Sequence, residues 1–331
     1  SMRHDAKRTD ASAALDELFD RAVQLDDAGK RSEAEPLYRD VLTRRRALVG
    51  DNHWSIIAVA QKLGRLFYVT ERYREAEPVL DLAFSACKHN HGVDHPMALD
   101  IGIHLADARL VLADYSGAEA ICRSLPTNSD YARSKGFESC LCRPLLLQFR
   151  FAGAIAPMRL ALAYTRRKSG EVHRYTAGDL HFLGELLRRT GDESGAQALF
   201  EEALAILVTL VEKDRKVADK SHNALIRLRY MGLVLLRLNR LDEAEKVLLE
   251  ANAANYPNNA LGQSRKGLAM AALGECWLYM DRAIEGERLL IEGQTVSRDP
   301  TYLSLRLMAV LVLIEHYEAT GRTADAAHWR E

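Results

Sequence analysis

Arg31-Ser-Glu-Ala-Glu-Pro-Leu-Tyr38, Tyr73-Arg-Glu-Ala-Glu-Pro-Val-Leu80 and Leu241-Asp-Glu-Ala-Glu-Lys-Val-Leu248 are one pattern written three times. Each centres on a small residue between two acids, with an apolar or aromatic residue four positions later. Sliding that template along the 331 residues finds anchors at Ala34, Ala76, Ala118, Ala154, Ala196, Ala244, Gly286 and Ala326. Successive anchors lie 42, 42, 36, 42, 48, 42 and 40 residues apart. Self-similarity at such a period is the mark of a repeat array rather than of one globular core.

Two further columns fix the register. Twelve residues before the anchors stand Ala22, Gly64, Ala106, Cys142, Gly184, Gly232, Gly274 and Ile314, all but the last of them small. Five residues before the anchors come Gly29, Gly191, Asn239, Asp281 and Gly321 in five of the eight repeats. These are residues that end one helix and admit the next. Apolar residues at helical spacing flank the turn, as in Leu63, Leu66 and Phe67 before it and Val79 and Leu82 after it. The spacing predicts two helices per repeat, with the small column of the first facing the small anchor of the second. One pair is too small to bury its own apolar faces, so each must stack on its neighbours.

The helix–turn–helix with small residues twelve apart resembles the tetratricopeptide repeat. The 42-residue period and the linkers Gly50-Asp-Asn-His53 and Gly92-Val-Asp-His-Pro96 resemble its kinesin-light-chain type. That resemblance covers about residues 12–331 and implies an all-α, right-handed solenoid of eight stacked pairs, preceded by a tail at 1–11. Ser1-Met2 reads as the remnant of a tag-removing protease. The fourth repeat departs from the pattern, with a shortened linker around Pro126-Thr-Asn-Ser and Cys142 at its small position. The linker from about Lys213 to Lys220 is lengthened and charged. The ending Ala326-Ala-His-Trp-Arg330 is similar to those closing repeat arrays behind bacterial serine/threonine kinase domains, which implies a regulatory module of a larger signalling protein.

Composition narrows the function. Hydrophobic residues at 48% and charged residues at 27% suit a folded, soluble chain. A formal net charge of −1 lacks the basic excess that drives nucleic-acid binding. The longest wholly apolar run, Leu307–Ile314, is too short to span a bilayer. Cys87, Cys122, Cys140, Cys142 and Cys276 form no paired framework, which points to a reducing, cytoplasmic setting.

No pattern asks for catalysis or a cofactor. Cys140-x-Cys142 has too short a spacer for zinc, and Cys142 already belongs to the packing column. His89, His91 and His95 could approach a metal ion, but His95 sits in the linker motif ahead of Pro96. Gly29-Lys-Arg-Ser32 lacks the upstream glycine of a phosphate loop and falls at a helix turn. The expectation is a non-enzyme without metal or cofactor.

In tetratricopeptide arrays the first helix of each pair lines the concave groove. The resemblance therefore implies groove positions at Gln61, Arg65, Tyr68, Asp107, Arg143, His181, Glu185, Arg188, Arg189, Arg229 and Arg237. Six arginines stand there against two acids, while Asp26, Asp27, Glu275, Glu315 and Glu318 would make both ends acidic. Arginine grips carboxylates bidentately. The expected ligand is thus a protein or an extended acidic peptide, with neither nucleic acid nor membrane as partner and with self-association possible through a terminal repeat.

Overall fold

The computed structural model describes residues 2–126, 137–219, 221–297, 299 and 302–330. Sixteen helices and no strand occur among the described residues. They pair as α1 (Met2–Asp27) with α2 (Arg31–Val49), α3 (Trp54–Val69) with α4 (Tyr73–His91), and α5 (Pro96–Val111) with α6 (Tyr115–Ser124). Next come α7 (Phe137–Leu147) with α8 (Phe151–Ser169), α9 (Arg174–Arg189) with α10 (Glu193–Lys216), and α11 (His222–Arg237) with α12 (Leu241–Asn252). The last pairs are α13 (Ala260–Tyr279) with α14 (Ala283–Val296) and α15 (Leu303–Ala319) with α16 (Thr323–Arg330). The chain divides into two compact units, 1–144 and 145–331, the boundary falling inside α7.

The turn column holds in all eight pairs. Gly29, Gly191, Asn239, Asp281 and Gly321 adopt φ of 79°, 90°, 57°, 59° and 75°. Glu71, Ala113 and Phe149, at the same position, do so too, with φ of 61°, 63° and 57°. The left-handed turn is therefore a property of the repeat, imposed even where the side chain disfavours it.

Packing corrects the expected small-to-small contact. A Cβ placed on Gly64, Gly184 or Gly232 would lie 2.6, 2.6 or 2.3 Å from Leu80, Phe200 or Leu248. Those are the large residues four positions after each anchor. The small column mainly makes room for a bulky side chain, which the second helix inserts into the first. The seventh pair brings backbones together in the expected way: a Cβ on Gly274 would meet the Gly286 carbonyl at 2.7 Å.

The linkers carry a recurrent cap. Gly50, Gly92 and Gly170 end α2, α4 and α8 with φ of 82°, 84° and 93°. Three residues on, His53, His95 and His173 cap the next helix, Nδ1 accepting from the amides of Ser55, Met97 and Tyr175 at 3.2 Å each. The third of these, in Gly170-Glu-Val-His173, escaped the sequence comparison. His95 is thereby engaged as a cap through its Nδ1.

Three expectations change at the boundaries. α1 starts at Met2, inside the stretch read as a tail, because residues 2–12 contain no Gly or Pro and several good helix formers. The first half of the lengthened linker, Lys213 to Lys216, is helix, since α10 runs to Lys216. At 24 residues α10 is also long and apolar enough to cross a membrane, contrary to the reading from the longest apolar run. Its residues Ala203, Leu207 and Val211 are instead buried against neighbouring helices. The shortened fourth linker at Thr127-Asn-Ser129 lies outside the described residues.

Candidate functional site

In the unit 145–331, the first helices α9, α11, α13 and α15 pack on one another in succession. Residues at the same register on each helix therefore fall on one shared face. His181, Glu185, Arg188 and Arg189 come from α9, Arg229 and Arg237 from α11, Glu275 from α13 and Glu315 from α15.

Arg237 is the hub. Its side chain is 5% exposed and forms ion pairs with Glu185 of α9 and Glu275 of α13. Arg188 adds a bond to Glu185 at 3.2 Å. Burial alone would raise the Glu185 carboxyl, but Arg237 and Arg188 hold it far below the usual carboxylate range. Glu275 shifts upward, because burial outweighs its attraction to Arg237 and Glu185 repels it. Arg189 pairs with Glu315 and lies 5.7 Å from the Phe151 ring.

The expected separation of a basic centre from acidic ends is thus corrected within this unit. Glu275 and Glu315 fold onto the arginines, because stacked first helices bring residues from distant repeats within ion-pair reach. Arg188, Arg189, Arg229 and Arg237 face Glu185, Glu275 and Glu315, leaving one positive charge in excess.

That excess charge belongs to Arg229. It is 7% exposed and has no carboxylate partner among the described residues; its guanidinium lies 4.4 Å from the Tyr230 ring. Beside it His181, also 7% exposed, has both ring nitrogens without a hydrogen-bond partner. Its ring stands 5.7 Å from Tyr230 and 6.1 Å from Phe200. Burial pushes the His181 pKa down to about 4, so the imidazole is neutral at neutral pH. Both residues line a cavity of about 40 Å³ with Glu185, Arg237, Glu275 and an apolar wall of Leu233, Leu268 and Met308. A buried guanidinium and a neutral imidazole with unused nitrogens give this mostly apolar cavity two groups that can receive a small anionic group.

The other expected positions lie in the unit 1–144. Tyr68 donates to Asp107 at 3.2 Å, and Arg143 forms an ion pair with the same carboxylate. Tyr68 also stacks edge-on with His104 at 5.0 Å. Arg65 is exposed and Gln61 half-buried, and neither joins this triad. No cluster of three metal-binding side chains occurs among the described residues.

Residues 20–55 match the tetratricopeptide repeat. No curated protein matches the chain. A tetratricopeptide repeat protein from Parabacteroides merdae is similar at 11% identity, covering 90% of this chain and 98% of that one, with a TM-score of 0.59. NprR in complex with its cognate peptide NprX is similar at 15% identity over 97% of this chain and 87% of that one, TM-score 0.51. Repeats of a Podosopora anserina protein assigned as a kinesin light chain share 18% identity over 60% of this chain and 96% of that one, TM-score 0.47. The fold is that of the tetratricopeptide-repeat proteins.

Proposed function

We propose that this chain of tetratricopeptide-type repeats is a non-catalytic binding module. Its ligand is an extended peptide segment of a partner protein, lying along the α9, α11, α13 and α15 face. One ligand carboxylate is seated against Arg229 beside His181. The observation that carries this reading is the buried His181, both ring nitrogens without a partner, lining one cavity with the buried Arg229, which has no carboxylate partner among the described residues. An orphaned buried polar group is costly, so the unused His181 nitrogens are accounted for by a ligand that completes them beside the Arg229 charge. NprR, of like fold, is described in complex with a peptide, which is compatible with this use of the face.

The charge balance sharpens the sequence expectation. Three of the four arginines on this face already have internal carboxylates, so the ligand needs one well-placed acid rather than an acidic run. Selecting a displayed peptide library on the wild-type protein, then counter-selecting on Arg229→Gln, tests this. Enrichment of carboxylate-bearing peptides that fail on the variant supports the reading. Peptides that bind both proteins equally contradict it.

The Arg189–Glu315 ion pair favours a second role, that of a peptide-responsive sensor within a larger signalling protein. A ligand carboxylate that competes for Arg189 would release α15 from α9. Small-angle scattering with and without a selected peptide separates the two roles, a rigid scaffold keeping its dimensions.

A further inference from the structure

In six of the eight pairs the position four residues after the anchor carries the bulky, buried side chain that fills the helix pair: Tyr38, Leu80, Met158, Phe200, Leu248 and Leu290. In the third pair that position is Cys122, the smallest of the series and fully buried. The space a larger side chain would occupy is entered from α7 by Cys140. The two sulfurs lie 2.8 Å apart, well inside ordinary sulfur contact, and one S–H donates to the other. Cys140 is 6% exposed and Cys122 is not exposed at all. Cys142, two residues on, belongs to the packing column, as its spacing implies.

We infer that Cys122 and Cys140 are a dithiol site that closes to a disulfide on reaction with a hydroperoxide, tying α6 to α7. Cys140, the more accessible thiol, attacks the peroxide. An S–O bond forms as the O–O bond breaks, and the departing hydroxide takes the thiol proton as water. Cys122 then attacks the sulfenic sulfur: the S–S bond forms, the S–O bond breaks and a second water leaves. The two sulfurs lose two electrons between them and the peroxide oxygens gain them. Bringing the sulfurs from 2.8 Å to a bond of about 2.05 Å is a small displacement. The 6% exposure of Cys140 favours a small oxidant such as hydrogen peroxide over a bulky disulfide reagent.

The hydrogen bond with Cys122, and then burial, raise the Cys140 thiol well above its ordinary range. Because the thiolate is the nucleophile, closure is slow at neutral pH and quickens as pH rises. Cys140 also lies one helical turn before Arg143, so the bond would stiffen the helix that presents Arg143 to Asp107.

Treating the full chain with dilute hydrogen peroxide, then measuring intact mass and mapping non-reduced peptides, tests the site. The expected result is a loss of about 2 Da and a peptide joining Cys122 to Cys140. The bond should persist in Cys142→Ser, disappear in Cys140→Ser, and raise the melting temperature of wild type. A gain of oxygen without cross-linking in wild type, or a Cys122 cross-link that survives Cys140→Ser, would overturn the inference. The wild-type map stands even where a variant fails to fold.

Discussion

Arg237 in α11 holds Glu185 of α9 and Glu275 of α13 at once, with its own side chain 5% exposed and both carboxylates buried. One guanidinium thus joins three consecutive first helices. Desolvating three charges is unfavourable, and it is tolerated because each has a partner. Removing the hub leaves two buried carboxylates with only Arg188 nearby. Arg237→Leu should therefore destabilise the protein by about 3–5 kcal/mol. Urea unfolding of the variant measures this, and a change under about 1 kcal/mol would mean the pair is not buried as described.

Two buried groups on α9 give opposite responses to acid. His181 is depressed to about 4 from an ordinary value near 6.5, so the unfolded chain takes up its proton first as pH falls. Its contribution is complete above pH 6.5 and is lost towards pH 4, on the order of 3 kcal/mol. Asp179 is pushed up to about 6 by burial, against the 2.6 Å hydrogen bond from Thr165. It contributes stability at low pH that is lost as pH rises through 6. The two offset each other between pH 4 and 6. Relative to wild type, Asp179→Asn should lose stability on acidification over that range, and His181→Gln should gain it. Unfolding at pH 7 and pH 5 reads both, and parallel behaviour of the two variants would contradict the assignment.

The close approach of α13 and α14 rests on absent side chains. A Cβ on Gly274 would meet backbone, the Gly286 carbonyl at 2.7 Å and the Leu290 nitrogen at 2.9 Å. The nearest atoms to one on Gly64 are in the Leu80 side chain, which can yield. Gly274→Ala should cost about 1–3 kcal/mol through overpacking, and Gly64→Ala clearly less. Thermal melts of the two variants give the order directly.

Ala113 holds φ of 63° at an exposed turn where five other repeats use Gly, Asn or Asp. Relieving that backbone conformation with Ala113→Gly should stabilise by about 1 kcal/mol, offset in part by the freer unfolded chain. A melting temperature that falls would show that the left-handed turn is not strained there.

The repeat itself was legible because small residues recur where a partner helix inserts a bulky side chain, as Gly64 does for Leu80 and Gly232 for Leu248. The left-handed turns at Glu71, Ala113 and Phe149 were not, because nothing in those side chains asks for positive φ; only the register of the other five predicts them. The candidate face was half legible. The family resemblance placed His181 on one first helix and Arg229 and Arg237 on the next, both facing the groove, but it says nothing about which distant repeats touch. Arg189 and Glu315 are 126 residues apart, and Cys122 and Cys140 come from different repeats. Such pairings follow from how helix pairs stack, which spacing along the chain does not encode.

The central claim is that Arg229 receives a ligand carboxylate. Its most direct test is a double-mutant cycle on a peptide selected by the wild-type protein, with the candidate acid replaced by its amide, titrated against wild type and Arg229→Gln. Loss of the carboxylate should weaken binding to wild type about tenfold or more and leave binding to the variant nearly unchanged. An equal loss with both proteins would contradict the account, since the carboxylate would then be recognised somewhere other than Arg229.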